Sequence, residues 1–296
     1  MTAVPSLSTL VAEELSLPVD PRVTEMAGAI AALYPGAARA VLFYGSCLRE
    51  QNLDGLMLDF YLIVSSYREA YGRGWFAFAN NLIPPNVFPF EHEGLAAKYA
   101  VLSEADFQRE NGPEAGTVSV WARFAQPSRL VWAKDDEARA QAVAAVSRAA
   151  PTLFGFALPM LEEGEQGDPL AVWRRGFDLT YDSELRAERQ GKSLSIVDID
   201  PERYRRFGAA ARPLANPLSP DKARTRWRRF RRKGKAMSLV RLAKATTTFA
   251  GGVDYIAWKI NRHAGTEIVV KPWQRRWPIL GALTLLPRLL RRGAIR

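Results

Sequence analysis

The sequence predicts a mixed α/β domain, followed by a mainly helical domain and a basic C-terminal segment. Short apolar runs that end at turn residues alternate with helical patterns in the first half of the chain. Helical patterns dominate from Asp168 onward, and a proline-rich connection over 211–220 separates them from a strongly basic stretch. We therefore expect the α/β domain over 1–145, the helical domain over 146–215 and the basic C-terminal segment over 216–296.

The first predicted elements are a helix and two strands. Apolar residues at helical spacing over 23–35 predict a helix that ends at a Pro-Gly break. The apolar runs over 39–45 and 56–64 predict two strands, the first of which ends in glycine. The stretch over 67–83 predicts a second helix, because the two prolines that follow it cannot extend a helix.

The later elements continue the mixed pattern before the chain becomes helical. Apolar runs over 95–103 and 129–133 predict two further strands. Helical patterns lie before and after Pro151, and the stretch from Asp168 continues them.

Composition limits the class of protein. The 296 residues are 48% hydrophobic and 24% charged, which allows one large domain or two ordinary ones, and we expect two. The single cysteine, Cys47, excludes an internal disulfide framework and a cysteine-rich zinc site, and the two histidines disfavour a histidine-based metal site. Any metal is therefore expected to have oxygen ligands. The N-terminal stretch lacks the pattern of a secretion signal, so we expect a cytoplasmic protein.

Positive charge is concentrated in the C-terminal third of the chain. The net charge is +10, and the densest basic run is "KARTRWRRFRRKGK" over 222–235. This run, interleaved with Trp227 and Phe230, indicates a polyanionic partner, which is either nucleic acid or an anionic lipid surface. The alternative is a solvated linker.

The segment "VLFYGSCLREQNLDGLMLDFYLIV" over 41–64 carries the clearest chemistry. A strand that runs into Gly45 and Ser46 can form an anion-binding concavity, because glycine lets a phosphate approach and serine adds a donor. Asp59 on the next strand can face the same cleft and hold Mg²⁺, which prefers oxygen ligands. This combination is typical of phosphoryl transfer. The alternative is that Gly45 makes only a tight turn and Asp59 caps a sheet edge.

Two motifs, "FYGSCLRE" and "MLDFYLIVSS", resemble the nucleotidyltransferase superfamily. More narrowly, they resemble the phosphatidate cytidylyltransferases of the mitochondrial translocator-assembly-and-maintenance family, which are peripheral CDP-diacylglycerol synthases. Further similar segments follow in that family's order: "AKYAVLS", "WARFAQPSRLV", "DLTYDSELRAERQGKSLSIVDIDPERY" and "WKINRHAG". The resemblance extends from about Ala38 to Gly265 and implies a nucleotidyltransferase-like α/β fold. The arginine- and alanine-rich composition suggests a bacterial relative of that family.

The resemblance implies roles for individual residues of the α/β part. Gly45 and Ser46 would bind the phosphates of CTP, and Tyr44 would support their turn. Asp59 would bind Mg²⁺ and act in catalysis. For a second carboxylate the sequence itself offers Asp54, Glu91 and Glu93, and we favour Glu91 because it precedes the strand that begins at Leu95. Phosphate charge would be neutralised by Lys98 and Arg123.

Lipid and phosphate contacts are expected from the helical part and the basic run. These residues are Tyr181, Asp182, Arg186, Lys259, Arg228, Arg229, Arg231 and Arg232. The sequence departs from the superfamily pattern at Tyr61, where a second aspartate is usual, and has Ser65 and Ser66 where the family often places acids.

The implied reaction is Mg²⁺-dependent synthesis of CDP-diacylglycerol and pyrophosphate from CTP and phosphatidic acid, a step of phospholipid biosynthesis. The segment from Trp273 to Arg296 is too short in its apolar core to span a bilayer, which takes roughly 20 residues. Its tryptophans, leucines and arginines instead predict an interfacial segment, which would make the enzyme peripheral on the inner face of the cell membrane. Docking of this segment on the protein body is the alternative. Two other functions stay open, namely a nucleotidyltransferase that acts on RNA and a catalytically inactive membrane-surface scaffold.

Overall fold

The computed structural model describes residues 5–49, 53–72, 74, 77–78, 80, 84–183, 192–248 and 270–273. Within this part of the chain, five strands form one mixed sheet in the order β3-β4-β2-β1-β5. The parallel pair is β2 with β4, and the other neighbouring pairs are antiparallel. The strands are β1 (Ala38–Tyr44), β2 (Met57–Val64), β3 (Asn86–His92), β4 (Leu95–Ser103) and β5 (Ser128–Ala133).

The helices surround this sheet and dominate the second half of the described chain. Several begin at a serine or aspartate whose side chain accepts a hydrogen bond from the first turn, as at Ser6, Asp20 and Asp200. Their bounds are α1 (Leu7–Leu15), α2 (Pro21–Ala32), α3 (Tyr67–Tyr71), α4 (Glu104–Asn111), α5 (Trp121–Phe124), α6 (Asp136–Ser147), α7 (Ala149–Ala157), α8 (Pro169–Ser183), α9 (Lys192–Ile199), α10 (Pro201–Ala211) and α11 (Pro220–Thr248).

Side chains alternate between the two faces of the sheet, and each face has its own apolar core. One face carries Phe43 and Phe60, which pack with Met26 and Ile30 of α2. The opposite face carries Leu42, Tyr61, Ala100 and Leu130, and it packs on the helical part of the chain. We call these the α2 face and the helical face of the sheet. The core on the helical face includes residues from Leu7 to Phe230, so it combines all three of the segments expected from the sequence.

A buried ion pair joins α1 to α10. The Arg203 guanidinium donates to both carboxylate oxygens of Glu14, at 2.6 and 2.8 Å, and also to the Ala125 carbonyl at 3.2 Å. It lies 4.2 Å above the centre of the Phe207 ring. Since an unpaired buried guanidinium is costly, these contacts fix where the helical part meets the loop before β5.

The structure confirms most of the predicted elements. The predicted helix over 23–35 corresponds to α2, and the four predicted strands correspond to β1, β2, β4 and β5. The fold class expected from the sequence, a mixed α/β sheet followed by a helical part, is therefore confirmed.

The region between β2 and β4 differs from the prediction. Of the helix expected over 67–83, α3 occupies only the first five residues, and 73, 75–76, 79 and 81–83 lie outside the described residues. The strand β3 was not predicted, because Pro89 lies inside its apolar run and cannot donate to a strand ladder. The proline is tolerated because β3 is at the edge of the sheet.

One helical stretch of the described chain, Asp136–Met160 over α6 and α7, is long and apolar enough to cross a membrane. Most of its apolar window is buried inside the protein, as expected for helices that pack on a sheet.

Candidate functional site

The turn after β1 brings the backbone close to a carboxylate. Gly45 has a φ of +97°, a region that side chains other than glycine rarely adopt. A Cβ atom at this position would lie 3.2 Å from Oδ2 of Asp59, which leaves little room for any side chain. Two separate features therefore favour glycine at position 45: the positive φ of the backbone, and the short distance from a Cβ atom to the Asp59 carboxylate.

Strand register places three polar side chains in one row on the helical face. Tyr44 of β1 lies opposite Asp59 of β2, and Asp59 lies opposite Lys98 of β4. Residues opposite each other on neighbouring strands point to the same face of a sheet. We call Tyr44, Asp59 and Lys98 the polar row. Gly45 begins the turn next to it, and exposed Ser46 follows.

An ion pair lies at the centre of the polar row. Nζ of Lys98 is 2.9 Å from Oδ1 of Asp59, and the two side chains are 28% and 22% exposed. Ion pairs with this access to solvent contribute about 0–1 kcal/mol to stability. The fold therefore gains little from this pair, and both charges stay within reach of a ligand.

The hydroxyl of Tyr44 interacts with charges of opposite sign. Burial raises the pKa of Tyr44 well above its ordinary value, and the negative charge of Asp59 adds to the rise. Arg123 of α5 acts in the opposite direction on this pKa, through its positive charge and a side-chain hydrogen bond to Tyr44. The phenol is therefore neutral at physiological pH, forms a hydrogen bond with Arg123 and feels the negative charge of Asp59.

Aromatic packing fixes α5 beside the polar row. The ring of Phe124 lies 6.0 Å from that of Tyr44 and 5.3 Å from that of Tyr61. The neighbouring Arg123 also donates to the carbonyl of Ser119, which restrains its guanidinium. Tyr61 stands where the superfamily usually has a second aspartate. It is 3% exposed and packs in the core.

The other carboxylates expected at the metal site lie apart from Asp59. Glu91 pairs with Ala96, so β4 separates it from Asp59, and strand spacing gives roughly 12 Å between their Cα atoms. Asp54 is exposed and pairs with Arg22 at 3.0 Å. Glu93 lies in the turn between β3 and β4 with a φ of 48°. Among the described residues, no group of three or more His, Cys, Asp or Glu side chains could hold a metal ion.

The two serines after β2 have structural roles far from the polar row. The side chain of Ser66 accepts a hydrogen bond from the Glu69 N–H and caps α3, and Ser65 donates to the Glu69 carboxylate. Six residues of extended strand place Ser65 roughly 20 Å from Asp59. An acid at either serine would therefore not complete a metal site with Asp59.

The expected lipid and phosphate residues of the helical part have different positions. Half-buried Tyr181 and exposed Asp182 lie in the last turn of α8, next to Ser183, whose carbonyl contacts α11 at Gly234. Arg186 and Lys259 lie outside the described residues.

The basic run forms the first half of α11, and its two sides differ in exposure. Trp227 and Phe230 are 2% and 1% exposed, and the Trp227 indole donates to the Phe156 carbonyl at 2.9 Å. These two aromatic residues therefore pack in the core and are not exposed beside the arginines. The residues left exposed are the basic face of α11, which consists of Lys222, Arg224, Arg228, Arg229, Arg231, Arg232 and Lys233.

Sequence reasoning missed one residue that extends the polar row. Ser128 of β5 lies opposite Tyr44, is fully buried, and its hydroxyl has no hydrogen-bond partner among the described residues. Neighbouring residues gave no signal for it, because its position depends on the pairing of β5 with β1.

Comparisons with known proteins do not show a family for this chain. No protein-family model matches the chain, and no curated protein sequence matches it. The solved structures that are similar to the chain include a nucleotidyltransferase-like protein from Exiguobacterium sibiricum, over 92% of both chains, with 8% sequence identity and a TM-score of 0.29. At this TM-score the likeness carries no argument about fold or activity.

Proposed function

We propose that the chain is a nucleotidyltransferase, and more specifically a phosphatidate cytidylyltransferase that converts CTP and phosphatidic acid to CDP-diacylglycerol and pyrophosphate. The observation that supports this proposal most strongly is the polar row beside Gly45. A glycine turn, a carboxylate and a lysine meet there at one end of three neighbouring strands. The resemblance of the surrounding motifs supports the choice of CTP and phosphatidic acid.

The row offers the groups that a nucleoside triphosphate requires. Phosphate groups would lie against the Gly45–Ser46 turn, where the absence of a side chain permits close approach. Lys98 would meet phosphate as a point charge, whereas Arg123 offers a planar guanidinium suited to two hydrogen bonds. Tyr44 would hold Arg123 towards the same space through their hydrogen bond.

The polar row supplies one carboxylate, so a Mg²⁺ ion would be held there only together with the phosphates of the nucleotide. Protein sites commonly hold Mg²⁺ through one or two carboxylates together with substrate phosphates and water. Asp59 provides one carboxylate, with Oδ1 next to Lys98 and Oδ2 next to Gly45. When bound, the ion would neutralise the phosphates and the charge that develops on the leaving group.

The reaction requires positioning and charge neutralisation more than proton transfer. A phosphate oxygen of phosphatidic acid would attack the α-phosphorus of CTP, and the bond to the pyrophosphate oxygen would break. The attacking oxygen is already anionic, so no general base is needed. Lys98 and Arg123 would stabilise the negative charge as pyrophosphate leaves.

The basic face of α11 supports an anionic lipid surface as the second partner. Basic residues near such a surface each contribute about 1 kcal/mol to attraction. Proteins that bind single-stranded nucleic acid also use exposed aromatic residues for stacking, and here Trp227 and Phe230 are buried. This geometry favours a peripheral enzyme on the inner face of the cell membrane over an enzyme that acts on RNA.

The test is formation of CDP-diacylglycerol from CTP and Mg²⁺ on vesicles that contain phosphatidic acid. We expect product from the wild-type chain and none from Asp59→Ala. Asp54→Ala is the matched control, because it removes an exposed carboxylate outside the polar row. Equal activity of the wild-type chain and Asp59→Ala would reject this site, and nucleotide transfer to RNA alone would reject the lipid acceptor.

A catalytically inactive scaffold is the second candidate, and one observation favours it. The only carboxylate of the polar row already has Lys98 as a counter-charge, as expected if the pair were merely a surface feature. Vesicle binding without product from any nucleotide would support this function.

A further inference from the structure

We propose that the basic face of α11 selects among anionic lipids, because it binds a phosphomonoester headgroup more tightly than a phosphodiester headgroup. A phosphomonoester, as in phosphatidic acid, carries up to two negative charges and has three free oxygens that accept hydrogen bonds. A phosphodiester headgroup carries a single charge and has one free oxygen fewer. The inference rests on the proposed function, because it assigns how that enzyme would gather its lipid substrate at the membrane.

Packing fixes which side of α11 is exposed to solvent. Ala223, Trp227, Phe230 and Gly234 recur at helical spacing, and all four are buried. The Trp227 indole donates to a backbone carbonyl of α7 at 2.9 Å, and the Ser183 carbonyl leaves no room for a side chain at position 234. Rotation of the helix would break these contacts, so the basic face is held towards solvent.

The basic face has few acidic neighbours. Asp221 is the one acidic residue in the sequence of α11, and it pairs with Arg224 at 2.8 Å. Arg228 donates to the Thr225 hydroxyl at 3.1 Å. Within the described part of the chain, no ion pair involves the other arginines of this face, which are Arg228, Arg229, Arg231 and Arg232. Their charges are therefore available to an external anion.

The arginines are spaced so that several can reach one phosphate group. Arg228 has Arg224 and Arg232 four residues away on either side, and Arg231 three residues away. Residues at these spacings are neighbours on a helix, with about 5–6 Å between their Cβ atoms. Like charges at this distance destabilise a helix, and a bound anion offsets that repulsion. A group with more charge and more oxygens therefore gains more from such a cluster.

The choice of arginine supports recognition of the phosphate group itself. Five of the seven basic residues of this face are arginine. A guanidinium presents a planar fork of donors that matches two phosphate oxygens, whereas the ammonium of lysine acts as a point charge. Attraction to net negative charge alone would be served equally well by lysine. The arginines therefore favour a headgroup that offers several oxygens.

The test compares two kinds of vesicle with equal surface charge, in the absence of CTP. One contains phosphatidic acid and the other phosphatidylglycerol, in amounts adjusted to the same zeta potential. We expect the wild-type chain to bind the phosphatidic acid vesicles about fivefold more tightly in a sedimentation assay. A variant with Arg224→Lys, Arg228→Lys and Arg232→Lys keeps its charge, and it should lose this preference while it still binds phosphatidylglycerol.

Three further variants control the measurement. Arg139→Lys and Arg205→Lys make the same exchange at exposed arginines of α6 and α10, and both should keep the wild-type preference. Lys98→Gln removes a positive charge from the polar row and should also keep the preference, because the selectivity is assigned to α11.

The outcomes separate this inference from the proposed function. Equal binding of the wild-type chain to both vesicles overturns the inference, as does a preference that survives the three lysine substitutions in α11. Loss of the preference in Lys98→Gln also overturns it, because the selectivity would then belong to the polar row. A preference that is lost only with the α11 arginines supports the inference. If the wild-type chain then forms no product from CTP, only the proposed function is rejected.

Discussion

The two faces of the sheet are built from the same strands but have different chemistry at one end. On the α2 face, Phe43 and Phe60 pack in the core up to the ends of their strands. On the helical face, the neighbouring residues are polar. Tyr44 follows Phe43 in β1, and Asp59 precedes Phe60 in β2. The difference shows that the apolar alternation is interrupted on one face only, at the strand ends next to Gly45.

The interruption also has an energetic meaning. A polar row that served the fold would be buried and fully paired, because unpaired buried polar groups are costly. Here Asp59 and Lys98 are partly exposed, and their ion pair adds little to stability. The α2 face therefore stabilises the sheet, whereas this end of the helical face is available to a ligand.

The largest expected effects come from two neighbouring residues on opposite faces. Asp59→Asn should lower nucleotide transfer about a hundredfold or more, because it removes the charge that would hold Mg²⁺. Its unfolding free energy should stay within about 1 kcal/mol of the wild type. Phe60→Ala should instead lower the free energy of unfolding by about 3–5 kcal/mol, since the side chain is fully buried.

Urea unfolding and an assay of pyrophosphate release on the same preparations give both numbers. A large loss of stability in Asp59→Asn would contradict the division between the two faces. So would an active Asp59→Asn variant that unfolds like the wild type.

The glycine turn gives the next largest effect. Gly45→Ala should destabilise the fold by about 1–2 kcal/mol, because an alanine is strained at a φ of +97°. It should also lower activity, since the new Cβ would press on the Asp59 carboxylate. Gly36→Ala is the matched control, because Gly36 has a similar φ of +82° but nothing within 4 Å of its Cβ position.

Thermal unfolding and initial rates on the two glycine variants compare strain with contact. We expect both variants to be less stable than the wild type. Only Gly45→Ala should have a lower initial rate than the wild type. Equal activity of the two would show that closeness to Asp59 has no consequence.

A pair of tyrosines tests the comparison with a smaller change. Tyr44→Phe removes the hydroxyl that forms a hydrogen bond with Arg123, and we expect about a tenfold loss of kcat/KM with little change in stability. Tyr34→Phe on the α2 face removes a hydrogen bond of 3.1 Å to Tyr99, which should cost about 1 kcal/mol of stability without loss of activity. Steady-state kinetics and urea unfolding measure the two effects, and reversed phenotypes would reject the assignment of the faces.

The smallest effects are expected on the basic face of α11. Each of Arg228→Gln and Arg232→Gln should weaken binding to vesicles that contain phosphatidic acid by about fivefold, which corresponds to about 1 kcal/mol. Vesicle sedimentation at low and high salt measures this binding, and stability should not change because both side chains are exposed. Wild-type binding by a variant that carries both changes would exclude this face as the membrane contact.

Sequence reasoning reached the polar row only in part. The Gly-Ser turn and the carboxylate of Asp59 were recognisable, because glycine conformation and an acid within an apolar strand leave local signals. The pairing of Asp59 with Lys98 depends on β4 lying parallel to β2, which no local pattern encodes. The resemblance named Lys98, but only the register explains its position.

The missed and mistaken features have the same physical origin. Trp227 and Phe230 gave the pattern of a contact surface, yet they occupy the buried side of α11. The role of an aromatic residue in a basic run depends on which helix face meets the core. In this run, the many arginines around Trp227 and Phe230 obscured the helical spacing of the apolar residues. Ser128 was missed because its neighbours in sequence differ from its neighbours in the sheet.

The most direct test of the nucleotide site is amide hydrogen exchange of the wild-type chain with and without CTP and Mg²⁺. We predict that CTP slows exchange over 44–48, 57–61, 95–99 and 121–124, where the turn, the polar row and α5 meet. Exchange in α2, on the other face of the sheet, should not change. Protection of α2 with no change in those four segments would contradict the account.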